Sequence, residues 1–228
     1  MTELDKLTIK ALLDLEHSIA GAALSPYTYP WEAIPHIKEI ILSLQKELGD
    51  EYEEISEGVF VHKTASVAPT AYIAAPTIIC AGAEIRHCAY IRGSAIIGEG
   101  SVVGNSSEIK NAILFDSVQV PHFNYVGDSL LGYKSHMGAG AVTSNIKSDK
   151  TNVCIKYGGG SVQTGLRKMG AVLGDHVEIG CNSTLNPGTV VGRNSSVYPN
   201  SCVRGAVPEN RIYKSKENVV IKDKGEIN

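Results

Sequence analysis

Aromatic side chains are scarce in this chain: one Trp, three Phe and ten Tyr among 228 residues, 6% in all. Its interior must therefore be built from aliphatic residues. No apolar run approaches the roughly 18 residues of a membrane-spanning helix. No basic segment followed by an apolar core marks a secretory signal. Positive charge is not in excess, with 21 Lys and Arg against 24 Asp and Glu and a net charge of −3. Global electrostatics thus point to neither nucleic acid nor a membrane surface. Cysteines number five, an odd count, and no CxxC pair occurs. This argues against a disulfide framework and for free, mostly packed thiols in a reducing compartment. A soluble, cytoplasmic protein is expected.

What the chain does have is a repeat. Val61, Val67, Ile73, Ile79, Ile85, Ile91, Ile97, Val103 and Ile109 stand six residues apart, and all are β-branched. After a break the pattern returns at Leu173, Ile179, Leu185, Val191, Val197 and Val203. Helices and ordinary strands have periods of 3.6 and 2.0, so neither explains a step of six. A short fixed period means stacked units that bury a shared interior. Six residues suit one short strand and one turn, with one aliphatic pointing inward. Three units close a triangular coil, and coils stack as parallel strands about 4.8 Å apart. Turn-prone residues surround the ladder, as at Pro69-Thr70-Ala71, Gly98-Glu99-Gly100 and Gly192-Arg193-Asn194. The expected fold is mainly β, a parallel β-helix of hexapeptide repeats.

Residues 1–55 lack the repeat and are predicted to be a helical cap. Leu4, Leu7, Leu12, Leu13 and Leu15 suggest a first short helix, and residues 20–30 a loop. Ile34, Ile37, Ile40, Ile41, Leu44 and Leu48 predict an amphipathic helix, with Pro35 in its first turn and Gly49 as its C-terminal cap. Its apolar face must cover either an open end of the stack or a neighbouring subunit, since a bare last coil exposes unpaired edge groups. The repeat domain spans 56–210. Near Ile113 its register breaks, and Val120, Val126, Leu131 and Met137 continue it imperfectly. Residues 145–168 leave it altogether as a loop carrying Lys147, Lys150, Lys156, Arg167 and Lys168 against one acid, Asp149. A loop this long inside a compact repeat is usually functional or disordered. The tail, 211–228, is polar apart from Val219, Val220 and Ile221, which suggest a short strand.

The break collects the polar residues that could do chemistry. Asn105, Glu108, Lys110 and Asn111 precede it, His122-Phe123-Asn124-Tyr125-Val126-Gly127-Asp128 lies within it, and His136 to Asn145 follows. Arg92 falls eighteen residues, three hexads, before Lys110, so two cations stack on one face as a phosphate clamp.

At these residues the chain resembles a known family. From about Val59 to Val220 it is similar to the acetyltransferase domain of bifunctional sugar-1-phosphate nucleotidylyltransferase/acetyltransferases, which include glucosamine-1-phosphate acetyltransferase/N-acetylglucosamine-1-phosphate uridylyltransferases. The motif is His122 to Asp128 followed by Gly138-Ala139-Gly140 and Asn145. The segment from Thr164 to Asp175 makes the archaeal-type members look closer. The resemblance implies a left-handed β-helix, a hand that period alone does not give, since parallel crossovers are nearly always right-handed. It further implies a homotrimer, acetyl-CoA as cosubstrate and a hexosamine 1-phosphate as acceptor. In it His122 looks like the catalytic base, and Asn145 like a residue at the reacting end of the acetyl donor. Arg92, Glu108, Lys110 and Tyr125 look like sugar-phosphate ligands. Ala139, Cys181 and Pro199 stand where backbone lines the coenzyme A groove. His136 replaces an Asn that contacts the sugar, Ile146 replaces a Tyr, and Cys181 replaces a Ser. Lys150 matches an expected loop lysine only if one residue has been deleted. The relatives' nucleotidylyltransferase domain has no counterpart in residues 1–58, so a separate nucleotidylyltransferase would be needed to make a nucleotide sugar.

Two other function classes compete. A metal-dependent hydratase on the same repeat needs three histidines, commonly with two of them five residues apart. His17, His36, His62, His87, His122, His136 and His176 contain no such pair, so no metal is expected. A non-catalytic β-helix that binds a sugar phosphate or organises a partner enzyme is the third class, favoured by the departures at His136 and Ile146.

Overall fold

A computed structural model describes residues 2–215 and 218–221. The hexads form a three-sided parallel solenoid. Face 1 stacks Val59–His62, Thr77–Ile79, Ala95–Ile97, the second halves of Glu108–Leu114 and Tyr125–Leu131, then Ala171–Leu173, Thr189–Val191 and Ala206–Val207. Face 2 runs from Ser66–Val67 through Val102–Asn105, Gln119–His122 and His136–Met137 to Arg211–Ser215. Face 3 begins at Tyr72–Ile73 and Tyr90–Ile91. It continues through the first halves of the two long strands to Val142–Thr143, Thr184–Leu185 and Cys202–Val203.

The register break is local. Ile109 pairs with Val126 and Val120 with Val103, offsets of 17 rather than 18. Inward residues there are Leu114, Val120, Val126, Leu131, Met137 and Thr143, so the ladder continues with one short step per coil. The short step falls each time at the corner between faces 3 and 1, where Asn111 and Asp128 take left-handed φ angles of 47° and 50°. The following coil carries the long insertion at that same corner, since Leu130 pairs with Val172. One corner thus holds every irregularity of the middle coils.

The helices do not close an end of the stack. They lie along face 1, against Ala95–Ile97, Glu108–Leu114 and Tyr125–Leu131. On that face the middle residue of each strand points outward, because side chains alternate along a strand. These residues are Ile78, Ile96, Ile113, Leu130, Val172 and Val190, in register with one another and 0% exposed. Hydrogen bonds fix the covering coil by coil. Asn111 Nδ2 donates to the Ile34 carbonyl (3.3 Å), the Asp116 N–H to that of His17 (3.0 Å) and the Asp175 N–H to that of Leu12 (3.0 Å). The buried Asp175 carboxylate accepts from the Asp14 and Tyr133 amides, both at 2.9 Å, and pairs with Arg193 at 3.0 Å. Burial nevertheless pushes its carboxyl up, against the pull of Arg193 and those amides.

Within residues 5–44 the helical structure is more broken than expected. It consists of single turns such as Ile9–Leu12, Gly21–Leu24 and Pro30–Ala33, then Ile37–Leu44. The last helix is capped at Gln45, short of Gly49. Thr8 and Asp14 cap the early turns and stop them from joining. At each end one strand edge is instead paired by an antiparallel strand. Tyr52–Ser56 pairs antiparallel with Val59–His62, and Asn218–Ile221 pairs antiparallel with Arg211–Ser215. The insertion is not structureless: Cys154–Tyr157 and Gly160–Gln163 form a hairpin with Val153 and Ile155 buried. It presses on face 1 where glycines make room, since a Cβ on Gly188 would lie 2.6 Å from Val153. The thiols are free, but only Cys80 is buried, and Cys88, Cys181 and Cys202 are exposed. Their positions at corners and outward sites, rather than in the inner ladder, account for that. Among the described residues no helix is long and apolar enough to cross a membrane.

Candidate functional site

The corner between faces 3 and 1 gathers polar side chains around one carboxylate. Asp128 is 4% exposed. Lys110 Nζ lies 3.1 and 3.3 Å from its two oxygens, and Asn111 Nδ2 donates to it at 2.9 Å. Asn145 Nδ2 donates to Asp128 and, at 3.1 Å, to the Tyr125 hydroxyl. The Tyr125 ring lies over Gly127, where a Cβ would stand 2.4 Å from the phenol oxygen. Burial pushes the Tyr125 phenol up, and the nearby Asp128 and Glu108 charges act in the same direction. One coil below, Arg92 pairs with Glu108 at 2.7 Å. Both expected phosphate ligands are therefore engaged by carboxylates. The two pairs differ in setting: Arg92 and Glu108 are 43% and 30% exposed, whereas Asp128 beneath Lys110 is almost fully buried.

A second column runs along the corner between faces 2 and 3. The Phe123 N–H donates to the Asn105 carbonyl (2.9 Å), Gly140 to His122 (3.0 Å), Asn182 to Ala139 (2.8 Å) and Asn200 to Cys181 (2.8 Å). His122, Ala139, Cys181 and the coil of Pro199 are thereby stacked one coil apart. Gly138 and Gly180 permit this close approach, since a Cβ on them would meet the Cys181 and Pro199 nitrogens at 2.6 and 2.4 Å. The buried Asn124 side chain accepts from the His122 N–H (3.0 Å) and donates to the carbonyls of Gly138 (2.8 Å) and Ala141 (3.0 Å). It holds His122 and the turn at Ala139 in one frame. The His122 ring is exposed and makes no hydrogen bond among the described residues. The two columns flank face 3, about 10 Å wide for three extended residues.

Of the residues singled out in the sequence, Arg92, Glu108, Lys110, Tyr125 and Asn145 come together, and His122, Ala139, Cys181 and Pro199 form the facing column. His136 stands apart, opposite Gln119 on face 2, with Nδ1 2.8 Å from Glu178. Lys150 is exposed on the insertion and has no ion pair among the described residues. Sequence reasoning gathered Asp128, Asn111 and Asn124 at the break but gave none of them a role. A signal existed for two of them: Asn111, Asp128 and Asn145 are spaced by the same 17 residues as the short coils. Chemically, the arrangement offers an exposed imidazole across a narrow strip from a hydrogen-bonded carboxylate, amide and phenol, with one exchangeable guanidinium beside them.

Residues 73–212 match the family model described as GMPPB C-terminal domain. The bifunctional protein GlmU of Methanococcus maripaludis is 34% identical over 116 residues, 50% of this chain and 28% of that protein. The bifunctional sugar-1-phosphate nucleotidylyltransferase/acetyltransferase of Sulfurisphaera tokodaii is 33% identical over 107 residues, 47% of this chain and 27% of its own. The chain thus spans little more than a quarter of these relatives' length. Among solved structures, the acetyltransferase domain of PglB from Neisseria gonorrhoeae in complex with acetyl coenzyme A shares 15% identity. It covers 80% of this chain and 63% of that one, with a TM-score of 0.33.

Proposed function

The chain belongs to the GMPPB C-terminal domain family, and from that premise we propose that it transfers an acetyl group from acetyl-CoA to the amine of a hexosamine 1-phosphate. The observation that carries this reading is the pair of facing columns: an unengaged imidazole at His122 opposite the cluster of Lys110, Tyr125, Asn145 and Asp128. The name of the Sulfurisphaera tokodaii relative, a bifunctional sugar-1-phosphate nucleotidylyltransferase/acetyltransferase, supports the same chemistry.

In this reading Arg92 releases Glu108 to take the sugar phosphate. An ion pair this open to solvent adds little to stability, so the exchange is cheap. Lys110 stays anchored on Asp128 and completes the phosphate contact. Tyr125 and Glu108 lie along the sugar, whose amine faces His122. The neutral amine attacks the thioester carbonyl, His122 takes the amine proton, and the C–S bond breaks to release the thiolate. Holding both partners on one strip makes the attack local. A backbone N–H near Ala139 or Asn145 receives the oxyanion. Acetyl-CoA lies along the backbone of Ala139, Cys181 and Pro199. No acyl-enzyme forms, so Cys181 is dispensable. His136 and Lys150 reach the substrate only from a neighbouring subunit or with movement of the insertion. A homotrimer supplies the cleft that a single prism lacks, and with face 1 covered, faces 2 and 3 are the ones free to pack. The protein then works in the cytoplasm, beside a separate nucleotidylyltransferase.

A second reading, a non-catalytic sugar-phosphate-binding module, draws on one observation: both cations are already neutralised by Glu108 and Asp128. A thiol-release assay with acetyl-CoA and a panel of amino sugars, including glucosamine and galactosamine 1-phosphates, separates the two. Thiol release that depends on an amino sugar is the expected result. Release no faster than buffer with every acceptor would leave the module reading standing.

A further inference from the structure

Face 3 does not end at Arg92. Its first outward position runs, coil by coil, through Tyr72, Tyr90, Glu108, Tyr125, Val142, Thr184 and Cys202. Below the cluster two rings follow, and above it there is none. Tyr72 is 63% exposed and Tyr90 43%, with ring centroids 5.7 Å apart at 62°. Phe123 (62% exposed) and Tyr198 (45%) are bare as well, but each is a single ring, whereas Tyr72 and Tyr90 are adjacent in one column and in contact. Tyr90 and Arg92 lie two residues apart on one strand and so project on the same side. Arg92 is also the cation whose carboxylate partner is exposed and readily exchanged. From Lys110 down to Tyr72 is two coils, roughly 10 Å, the reach of a nucleoside with its phosphates extended.

We propose that Tyr90 and Tyr72 form a stacking platform for the base of a nucleoside diphosphate, so that the acceptor amino sugar is bound while still attached to its nucleotide. The proposal rests on the acetyl-transfer reading for the sugar end alone, where the hexosamine 1-phosphate becomes the inner half of a nucleotide sugar. The diphosphate lies along Arg92 and Lys110. The base lies on the exposed rings, a contact that tolerates different bases because each has a π face. The acceptor would then be supplied by a nucleotidyl-transfer reaction that precedes acetylation.

Calorimetry on the full chain with UDP, GDP and glucosamine 1-phosphate as separate probes tests this. At least one diphosphate should bind about tenfold or more tightly than the sugar phosphate. Tyr90→Ala should weaken diphosphate binding by roughly 5–100-fold, the range for losing one base–aromatic stack, and leave sugar-phosphate binding unchanged. Tyr90→Phe should keep the diphosphate affinity, which excludes misfolding as the cause. Equal affinity for all three probes would overturn the platform. So would a uniform loss in Tyr90→Ala, or a change in oligomeric mass with ligand binding intact. Thiol release with amino sugar phosphates in a protein that binds neither UDP nor GDP more tightly than the sugar phosphate would sink the platform and spare the acetyl-transfer reading. Tyr90-dependent diphosphate binding without acetyl transfer to any acceptor would do the reverse.

Discussion

Face 1 and face 3 are made from the same six-residue unit, with aliphatic residues pointing into the same core. They differ one residue away. On face 1 the outward position holds Ile78, Ile96, Ile113, Leu130, Val172 and Val190, sealed beneath the helices and the hairpin. On face 3 it holds Tyr72, Tyr90, Glu108, Tyr125, Val142 and Thr184, with no such covering. The inner ladder specifies the solenoid and is indifferent to use. The outward column decides whether a face is a packing surface or a working one. The short steps fall at the corner between these two faces, where Asn111 and Asp128, with Asn145 at the same corner one coil on, join Lys110 and Tyr125.

The comparison breaks most sharply if the covering is removed. Deleting residues 2–50 uncovers the outward aliphatics on which the helices lie, Ile96, Ile113 and Leu130 among them, each worth about 1.5–3 kcal/mol when buried. The truncated protein should aggregate or lose its cooperative melt, as seen by size-exclusion chromatography and thermal denaturation. A soluble fragment with an unchanged melt would mean that face 1 does not need its cover. A smaller test sets one position against the other. Ile96→Ala should cost about 2–5 kcal/mol, the range for truncating a buried aliphatic. Tyr72→Ala should stay within about 0.5 kcal/mol, as surface changes do. Equal losses in denaturant melts would erase the distinction between the two faces.

The smallest effect concerns thiols. Cys80, at the end of a face 1 strand, has its thiol pushed up to about 12 by burial, opposed by a hydrogen bond with Tyr52 and reinforced by Asp116 and Glu99. It should resist alkylation at pH 8, while Cys88, Cys181 and Cys202 react, as mass spectrometry would count. Because the folded pKa lies above the unfolded one, near 8.5, this stabilisation is complete below about pH 8.5 and is lost as pH climbs towards 12. The melting temperature should fall across that window, and less steeply in Cys80→Ala. Ready labelling of native Cys80 at pH 8 would contradict its burial.

The solenoid was legible because a period of six repeats many times and nothing else produces it. The cover on face 1 was not, although a second ladder, Ile78 and Ile96 with Val172 and Val190, repeats every eighteen residues in plain view. It is masked by its inward neighbours, Ile79, Ile97, Leu173 and Val191, which read as one apolar run. The helices' destination was open for the same reason: an amphipathic pattern tells that a face is buried, not against what. In the candidate site, Lys110, Tyr125 and Asn145 were readable by motif and spacing, and the structure adds that Asp128 joins them. The pairing of Arg92 with Glu108 could not be read, since which side chains meet between neighbouring strands depends on rotamers as well as on register. The hairpin in the insertion was hidden because Cys154–Tyr157 and Gly160–Gln163 carry too few apolar residues to show a strand period.

The central claim is that face 3, edged by His122, is where an acetyl group changes hands. The most direct measurement is the initial rate of thiol release from acetyl-CoA in the presence of an accepted amino sugar, for the wild type, His122→Ala and Cys181→Ala. The account predicts a loss of about 10²–10⁴-fold in His122→Ala, the usual contribution of a general base, with the thermal melt unchanged, and near wild-type turnover in Cys181→Ala. Wild-type turnover in His122→Ala, or its loss in a folded Cys181→Ala, would contradict it.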